Sequence, residues 1–384
     1  MKMKAAVLWK PQTDWSVEEV DLDPPKTGEV LVKLVGSGLC HSDEHLLTGD
    51  LAVPEETQLE LGMQQFPVIG GHEGAGEVLE VGPGVTGLAP GDHVVFGFIP
   101  SCGQCPKCST GHQNLCDLGA HLLAGRQVTD FTSRHHARGE DLGIMCCIGT
   151  FGEYTVAAAA SCIKIDNDIP LDKAALVGCG VTTGWGSAVY AAGVQPGETV
   201  VVVGCGGVGM NAVQGASMAG ARHVIAVDPV EFKRENSFIF GATHSAPSIE
   251  EATELVGELT WGAMADKVIL TMGVAKGEYI QPALAMTAKG GRVVQTAVAP
   301  FSVESVSMNL FELTMYEKQL VGSIFGSANP RRDIPRLLRL YQEGQLKLDE
   351  LVTRTYPIEE INDGYQAMRD GTNIRGMLIY DHAS

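Results

Sequence analysis

Residues Gly197 to Pro229 read GETVVVVGCGGVGMNAVQGASMAGARHVIAVDP. Val200 to Val203 form an unbroken apolar run, as expected of a parallel strand buried on both faces. A glycine turn, a helix-like stretch and a second apolar run ending at Asp228 follow. That is a βαβ unit. Further on, ADKVILTMG and GGRVVQTAVA are short apolar strands separated by segments suited to helices. The alternation predicts an α/β fold with a doubly wound, Rossmann-type parallel sheet.

Within this unit GCGGVG fits G-x-G-x-x-G, with Gly204, Gly206 and Gly209 in the pattern and Gly207 and Val208 between them. Such glycines permit a tight turn and let backbone approach a pyrophosphate at a helix N-terminus. Asp228 follows 24 residues after Gly204. Its carboxylate would accept hydrogen bonds from the adenosine ribose hydroxyls and repel a 2′-phosphate, so NAD(H) is expected over NADP(H). The bland alternative is a structural βαβ turn with a capping aspartate.

The flanks differ from this middle. EVLVKLVGSGLC, GAGEVLEVGPGV and APGDHVVFGF read as short strands with glycine turns, so the first 165 residues or so look β-rich. The stretch from Ile334 to Gly371 reads as helix, strand, helix, and is expected to pack on the first domain. A length of 384 residues suits two domains. The formal charge of −19 argues against nonspecific binding to nucleic acid or anionic membrane. Neither a signal-peptide core nor an apolar run of about 18 residues occurs, so a cytoplasmic protein without a membrane span is expected.

Four of the ten cysteines crowd into SCGQCPKCSTGHQNLC, at Cys102, Cys105, Cys108 and Cys116. The spacing fits a zinc closed by four thiolates, an iron–sulfur site or a pair of disulfides. A zinc closed by four thiolates would have no open position for substrate. Other possible ligands are dispersed: Cys40, Ser42 and His45 in GLCHSDEH, His72 and Glu73 in GGHEGAGEV, Cys179 and Thr183 in LVGCGVTTGWG. Each is weak alone, since a lone buried cysteine is usually a small hydrophobe.

Taken together, these motifs in this order resemble the zinc-dependent alcohol dehydrogenases of the medium-chain dehydrogenase/reductase superfamily, over nearly the whole chain. The resemblance implies a GroES-like catalytic domain at residues 1–180 and 325–384, with a structural zinc lobe at about 101–117. The Rossmann NAD-binding domain would span 181–324, with catalysis in the cleft between the two. It implies two zinc ions per chain, a catalytic one on Cys40, His72 and Cys179 and a structural one on the lobe. Glu73 would be a neighbouring carboxylate able to swing in, and Asp43 would orient the His72 ring. Ser42 and His45 would carry the alcohol proton outward as hydride passes to the nicotinamide. His41 and Arg375 would meet the cofactor pyrophosphate, Lys233 the adenosine ribose, Thr183 and Val208 the nicotinamide ring. Phe98 would wall the substrate pocket.

Two departures from short family members stand out. The 31 residues between Cys40 and His72 include AVPEETQLELGMQQF, acidic and helix-forming, expected beside the substrate. The segment from Cys116 to Phe151 is also long, with Cys146 and Cys147 read as buried thiols. These features resemble the bacterial nicotinoprotein branch, which retains NAD(H) and passes electrons to an external acceptor such as a nitroso compound or mycofactocin. A thiol-adduct formaldehyde dehydrogenase shares much of the motif set. A non-catalytic NAD- and zinc-binding redox module is the alternative outside enzymes. The family implies a homodimer or homotetramer joined edge to edge, with Val303 to Met308 as the expected edge. His135 and His136 are read as surface residues.

Overall fold

The computed structural model describes residues 1–61, 63–300, 303 and 305–382. Two compact units divide the chain: Met1–Cys179 with Asn329–Ser384, and Gly180–Ala328.

The first unit opens with β1 (Lys2–Leu8), β2 (Ser16–Leu22) and β3 (Glu29–Gly38), then the helices α1 (His41–Thr48) and α2 (Glu55–Leu61). It continues with β4 (Val68–Ile69), β5 (Gly74–Val81), β6 (His93–Phe96), β7 (His135–Ala137), β8 (Glu140–Asp141), β9 (Gly143–Ile144), β10 (Tyr154–Ala158) and β11 (Cys162–Ile165). The second unit carries β12 (Thr199–Val203), β13 (His223–Val227), β14 (His244–Ala246), β15 (Ala265–Leu270), β16 (Thr287–Gln295) and β17 (Gln319–Gly322). The chain then returns to the first unit with β18 (Val352–Tyr356) and β19 (Arg375–Ile379).

In the second unit the order is β14-β13-β12-β15-β16-β17, and every pairing is parallel. Counted from its first strand this is 3-2-1-4-5-6, the doubly wound Rossmann order. Val200 to Val203 are buried at its centre, and Val201 and Val203 pack with Ile225, Val268 and Val293. Each such side chain contributes about 1.5 kcal/mol or more by leaving water.

The first unit is β-rich, with sheet orders β8-β7-β2-β1-β4-β9 and β11-β6-β5-β3-β19-β18; β10 also pairs with β3. β3 is the hub of the second of these sheets. Its Val30, Val32 and Leu34 enter a core with Val78, Val94, Phe96 and Val156. Its last residues are small for a reason: a Cβ on Gly36 would lie 3.0 Å from the Met377 side chain and 3.1 Å from the Leu378 carbonyl on β19.

The acidic insert forms α2, although its Gly62 lies outside the described residues. The described residues of Val303 to Met308, the expected oligomer edge, pair with no strand of this chain, Glu304 lies outside them, and β17 is the last strand of the sheet. The surface reading of His135 is corrected. Side chains alternate in β7, so His135 points inward, fully buried, and burial drives its ring pKa down to about 3. His136 points out, between Asp23 (3.2 Å) and Asp141 (2.8 Å). Cys146 and Cys147 are free and buried, and burial pushes the Cys146 thiol up to about 12. No described helix is long and apolar enough to cross a membrane.

Candidate metal centre and dinucleotide loop

Cys40, His72, Glu73 and Cys179 come from three separate stretches, yet their ligand atoms all lie within 4.8 Å of one another, and all four are buried. Strand pairing brings them together. Cys40 follows the end of β3 and heads α1. His72 and Glu73 lead into β5, which runs antiparallel to β3 with Ser37 opposite Gly74. The Gly38 N–H donates to the Glu73 carbonyl at 2.9 Å, so the two stretches lie side by side. Cys179 ends the 3-10 turn Ala175–Gly178. That turn presses on β6: a Cβ on Gly178 would lie 2.4 Å from the Phe96 carbonyl.

The surroundings bias this cluster toward binding a cation. A hydrogen bond from Cys179, with help from the nearby His72 and Arg375 charges, holds the Cys40 thiol well below its ordinary range despite burial. Burial opposes charge on His72, but Asp43 and Cys40 outweigh it and raise the ring well above its ordinary value. Asp43 accepts from the Gly71 N–H at 2.7 Å, and its other oxygen lies 3.0 Å from His72 Nδ1. That second contact is close enough for an ion pair but lacks the alignment of a good hydrogen bond. His72 Nε2 is buried and finds no hydrogen-bonding oxygen or nitrogen among the described residues. An orphaned imidazole nitrogen beside two sulfurs is what a zinc site needs, so the residues present fit the ion.

Glu73 is paired with Arg375 on β19, both buried. Gly38 leaves the room: a Cβ there would lie 2.1 Å from Glu73 Oε2 and 3.1 Å from Arg375 Nη2. Arg375, expected at the pyrophosphate, thus also holds the carboxylate of the metal cluster. Ser42 Oγ lies 3.8 Å from Cys40 Sγ, next to the cluster. His41 opens α1 and is half-buried. His45, one turn further on, is buried and faces Asp50. Phe98 meets the His72 ring edge-on at 5.8 Å.

The four lobe cysteines also gather their sulfurs within 4.8 Å. Cys102 and Cys108 sulfurs are 3.9 Å apart, those of Cys105 and Cys116 4.0 Å, and all four thiols are free. Sulfurs about 2.3 Å from a tetrahedral centre stand about 3.8 Å apart, so the spacing suits one ion and not a cluster of several. The loop's own N–H groups at Gln104, Cys105 and Cys108 donate to Cys102 and Cys105 sulfurs at 3.3 to 3.4 Å. Backbone N–H groups of Asp117 and Cys108 hold the Cys105 thiol down at about 6, while burial pushes Cys108 up to about 12.

In the second unit, Gly204 takes φ +94°, and a Cβ there would lie 2.6 Å from Met272 Cα. A Cβ on Gly209 would meet the Gly204 carbonyl at 1.8 Å, whereas one on Gly206 would project into open space. The helix Gly207–Met218 starts there, with Val208 in its first turn. The Asp228 carboxylate accepts from Cys205 N–H (2.8 Å) and Val230 N–H (2.9 Å), which fixes it at the end of β13. Lys233 follows on the helix Glu231–Ser237. Thr183 Oγ1, on the helix Gly180–Gly186, is buried without a hydrogen-bond partner among the described residues. The loop is therefore a cradle with one open glycine face and a fixed carboxylate beyond it, which fits a dinucleotide.

Sequence reasoning missed the roles of Gly38 and Thr150. Thr150 Oγ1 bonds Ser37 Oγ at 2.7 Å, its carbonyl accepts from Tyr380 Oη at 2.6 Å, and its N–H donates to the Gly71 carbonyl at 2.9 Å. It thereby holds the backbone just before His72. No local signal marks either residue.

The family model for the alcohol dehydrogenase GroES-like domain matches residues 26–167, and that for zinc-binding dehydrogenase matches 207–343. Alcohol dehydrogenase B of Mycobacterium tuberculosis is 51% identical, covering 99% of both chains. The NDMA-dependent alcohol dehydrogenase of Amycolatopsis methanolica is 52% identical, again over 99% of both. Among solved structures, the benzyl alcohol dehydrogenase of Acinetobacter calcoaceticus is 28% identical over 99% of this chain and 100% of its own, with a TM-score of 0.86. The chain belongs to the zinc-dependent alcohol dehydrogenases of the medium-chain dehydrogenase superfamily, oxidoreductases that join a GroES-like unit to a Rossmann unit.

Proposed function

We propose that the chain interconverts an alcohol and its aldehyde by hydride transfer with NAD(H), at the centre formed by Cys40, His72 and Cys179. The observation that carries this is the buried, unpartnered His72 Nε2 beside two sulfurs. Zinc held there would supply the Lewis acidity that makes an alcohol hydroxyl acidic. Cys40 and Cys179 provide the anionic ligands, and Asp43 fixes the far side of the His72 ring. Glu73, restrained by Arg375, stands by as a further carboxylate. Ser42 receives the hydroxyl proton and passes it toward His45. Phe98 supplies apolar wall.

Gly204, Gly206, Gly207 and Gly209 shape the pyrophosphate cradle, while His41 and Arg375 offset its charge. Asp228 takes the adenosine ribose and selects NAD(H) over NADP(H), with Lys233 beside it. Thr183 and Val208 orient the nicotinamide. The four lobe cysteines hold a second, closed zinc. The NDMA dependence of one relative supports reoxidation by an external acceptor, and the nicotinoprotein resemblance adds retention of NAD(H). Exposed Leu310, Phe311 and Met315, close in sequence to the edge strand β17, suit a homodimer or homotetramer. No nucleic acid or membrane partner is needed for this reaction.

The test uses gel-filtered protein. Metal analysis should return two zinc ions per chain, and deuterium from a panel of 1-deuterated primary alcohols should reach the nicotinamide. Zinc-replete protein that moves no deuterium would refute the reading. Loss of all reduced-nicotinamide absorbance on desalting would refute retention alone.

A further inference from the structure

α1 ends in the sequence His45-Leu46-Leu47-Thr48-Gly49-Asp50. Gly49 adopts a left-handed conformation, φ +90°. Its N–H and that of Leu51 both donate to the His45 carbonyl, at 3.1 and 3.0 Å. The chain therefore folds back after Thr48, and Asp50 returns to the ring one turn earlier. Asp50 Oδ2 lies 3.3 Å from His45 Nδ1 and accepts from Thr48 Oγ1 at 2.8 Å. The His45 side chain is 4% exposed and that of Asp50 35%.

We propose that Asp50 is a positioning residue for proton transfer through His45: it fixes the ring's tautomer and steadies the ring when it is protonated. The inference rests on the relay role proposed above for Ser42 and His45. Its chemistry is simple. An ionised carboxylate only accepts hydrogen bonds, so the nitrogen facing it must donate. Nδ1 thus carries the proton and Nε2 the lone pair, which makes Nε2 the basic nitrogen. The proton arriving from Ser42 is taken up at Nε2 while Nδ1–H stays on Asp50. It leaves from Nε2 to water once the aldehyde has gone. Thr48 holds the accepting oxygen, so the carboxylate does not swing away. A purely structural role, closing the turn after α1, predicts no effect on the ring's proton.

Two readouts separate these roles. In histidine-15N-labelled protein the His45 signal is assigned by its loss in H45Q. Wild type should show a protonated Nδ1, and D50A should shift the ring toward the opposite tautomer or a mixture. With a primary alcohol at neutral pH, D50A should lower kcat about tenfold with little change in KM, a part of what general-base catalysis commonly contributes. D50E should recover most of the rate. D50N keeps the side-chain shape, and its kcat should fall in the same direction by less. An unchanged tautomer in D50A, or a D50A kcat within about twofold of wild type while H45Q is slow, overturns the role of Asp50 and leaves the relay intact. H45Q at the wild-type rate removes the relay itself, and Asp50's part with it.

Discussion

The two cysteine-bearing sites are built in opposite ways. The lobe takes its four ligands from one short loop, leaves Cys102 and Cys105 half-exposed, and gives those two sulfurs N–H donors of its own. The centre draws Cys40, His72 and Cys179 from three distant stretches, buries all of them, and leaves one nitrogen unpartnered. A locally built site with no vacancy can organise a loop. A site assembled by tertiary pairing, with a ligand atom left over, can hold a reactive ion. Adjacency in sequence is therefore a poor guide to which site does chemistry.

The sharpest test removes one ligand from each. Cys40→Ser should lower turnover at least about a hundredfold, as loss of metal-site residues does, with melting nearly unchanged and one zinc lost. Steady-state rates, calorimetry and metal analysis read all three. Cys105→Ser should do the converse. Its melting temperature should drop by about 5 °C or more, while the KM for alcohol in the folded fraction stays as in wild type. Normal melting with selective loss of hydride transfer in Cys105→Ser would erase the distinction.

Gly38→Ala probes the centre's dependence on packing. The added carbon would lie 2.1 Å from Glu73 Oε2, so the Glu73–Arg375 pair must move. Destabilisation of about 1–3 kcal/mol is expected, as for other overpacked sites, with reduced zinc at the centre and none lost from the lobe. Urea unfolding and site-resolved cobalt substitution would show it.

The smallest effect concerns a group in neither site. His135 has an ordinary pKa of 6.5 but is held at about 3 by burial. As pH falls below about 6.5 the unfolded chain takes up a proton that the folded chain refuses, so stability drops with falling pH, at up to roughly 1 kcal/mol per pH unit. Replacing His135 with Gln should flatten that slope between pH 6.5 and 4, whatever it does to absolute stability. Urea midpoints measured across this range for both proteins test it. An identical slope would assign the acid sensitivity to other groups.

Much of this was legible in sequence, for stated reasons. Val200 to Val203 had to be a buried parallel strand, and the glycines after it had to open a helix. The lobe announced itself by spacing. The Cys40, His72 and Cys179 set was not legible from spacing at all. It emerged only through resemblance, because the pairing of β3 with β5 and the turn against β6 create it. His135 was misread because a three-residue strand offers too little alternation to show its inward face.

β19 has a consequence for how the protein is made. It pairs with β3 and carries Arg375, yet it lies beyond the whole second unit in the chain. A ribosome therefore delivers a complete Rossmann unit while the Gly36–Gly38 end of β3 still lacks its partner β19 and Glu73 still lacks its cation. The metal centre is not complete until β19 arrives, and nascent chains halted near residue 330 should be aggregation-prone and deficient in zinc at Cys40, with the lobe already able to bind it.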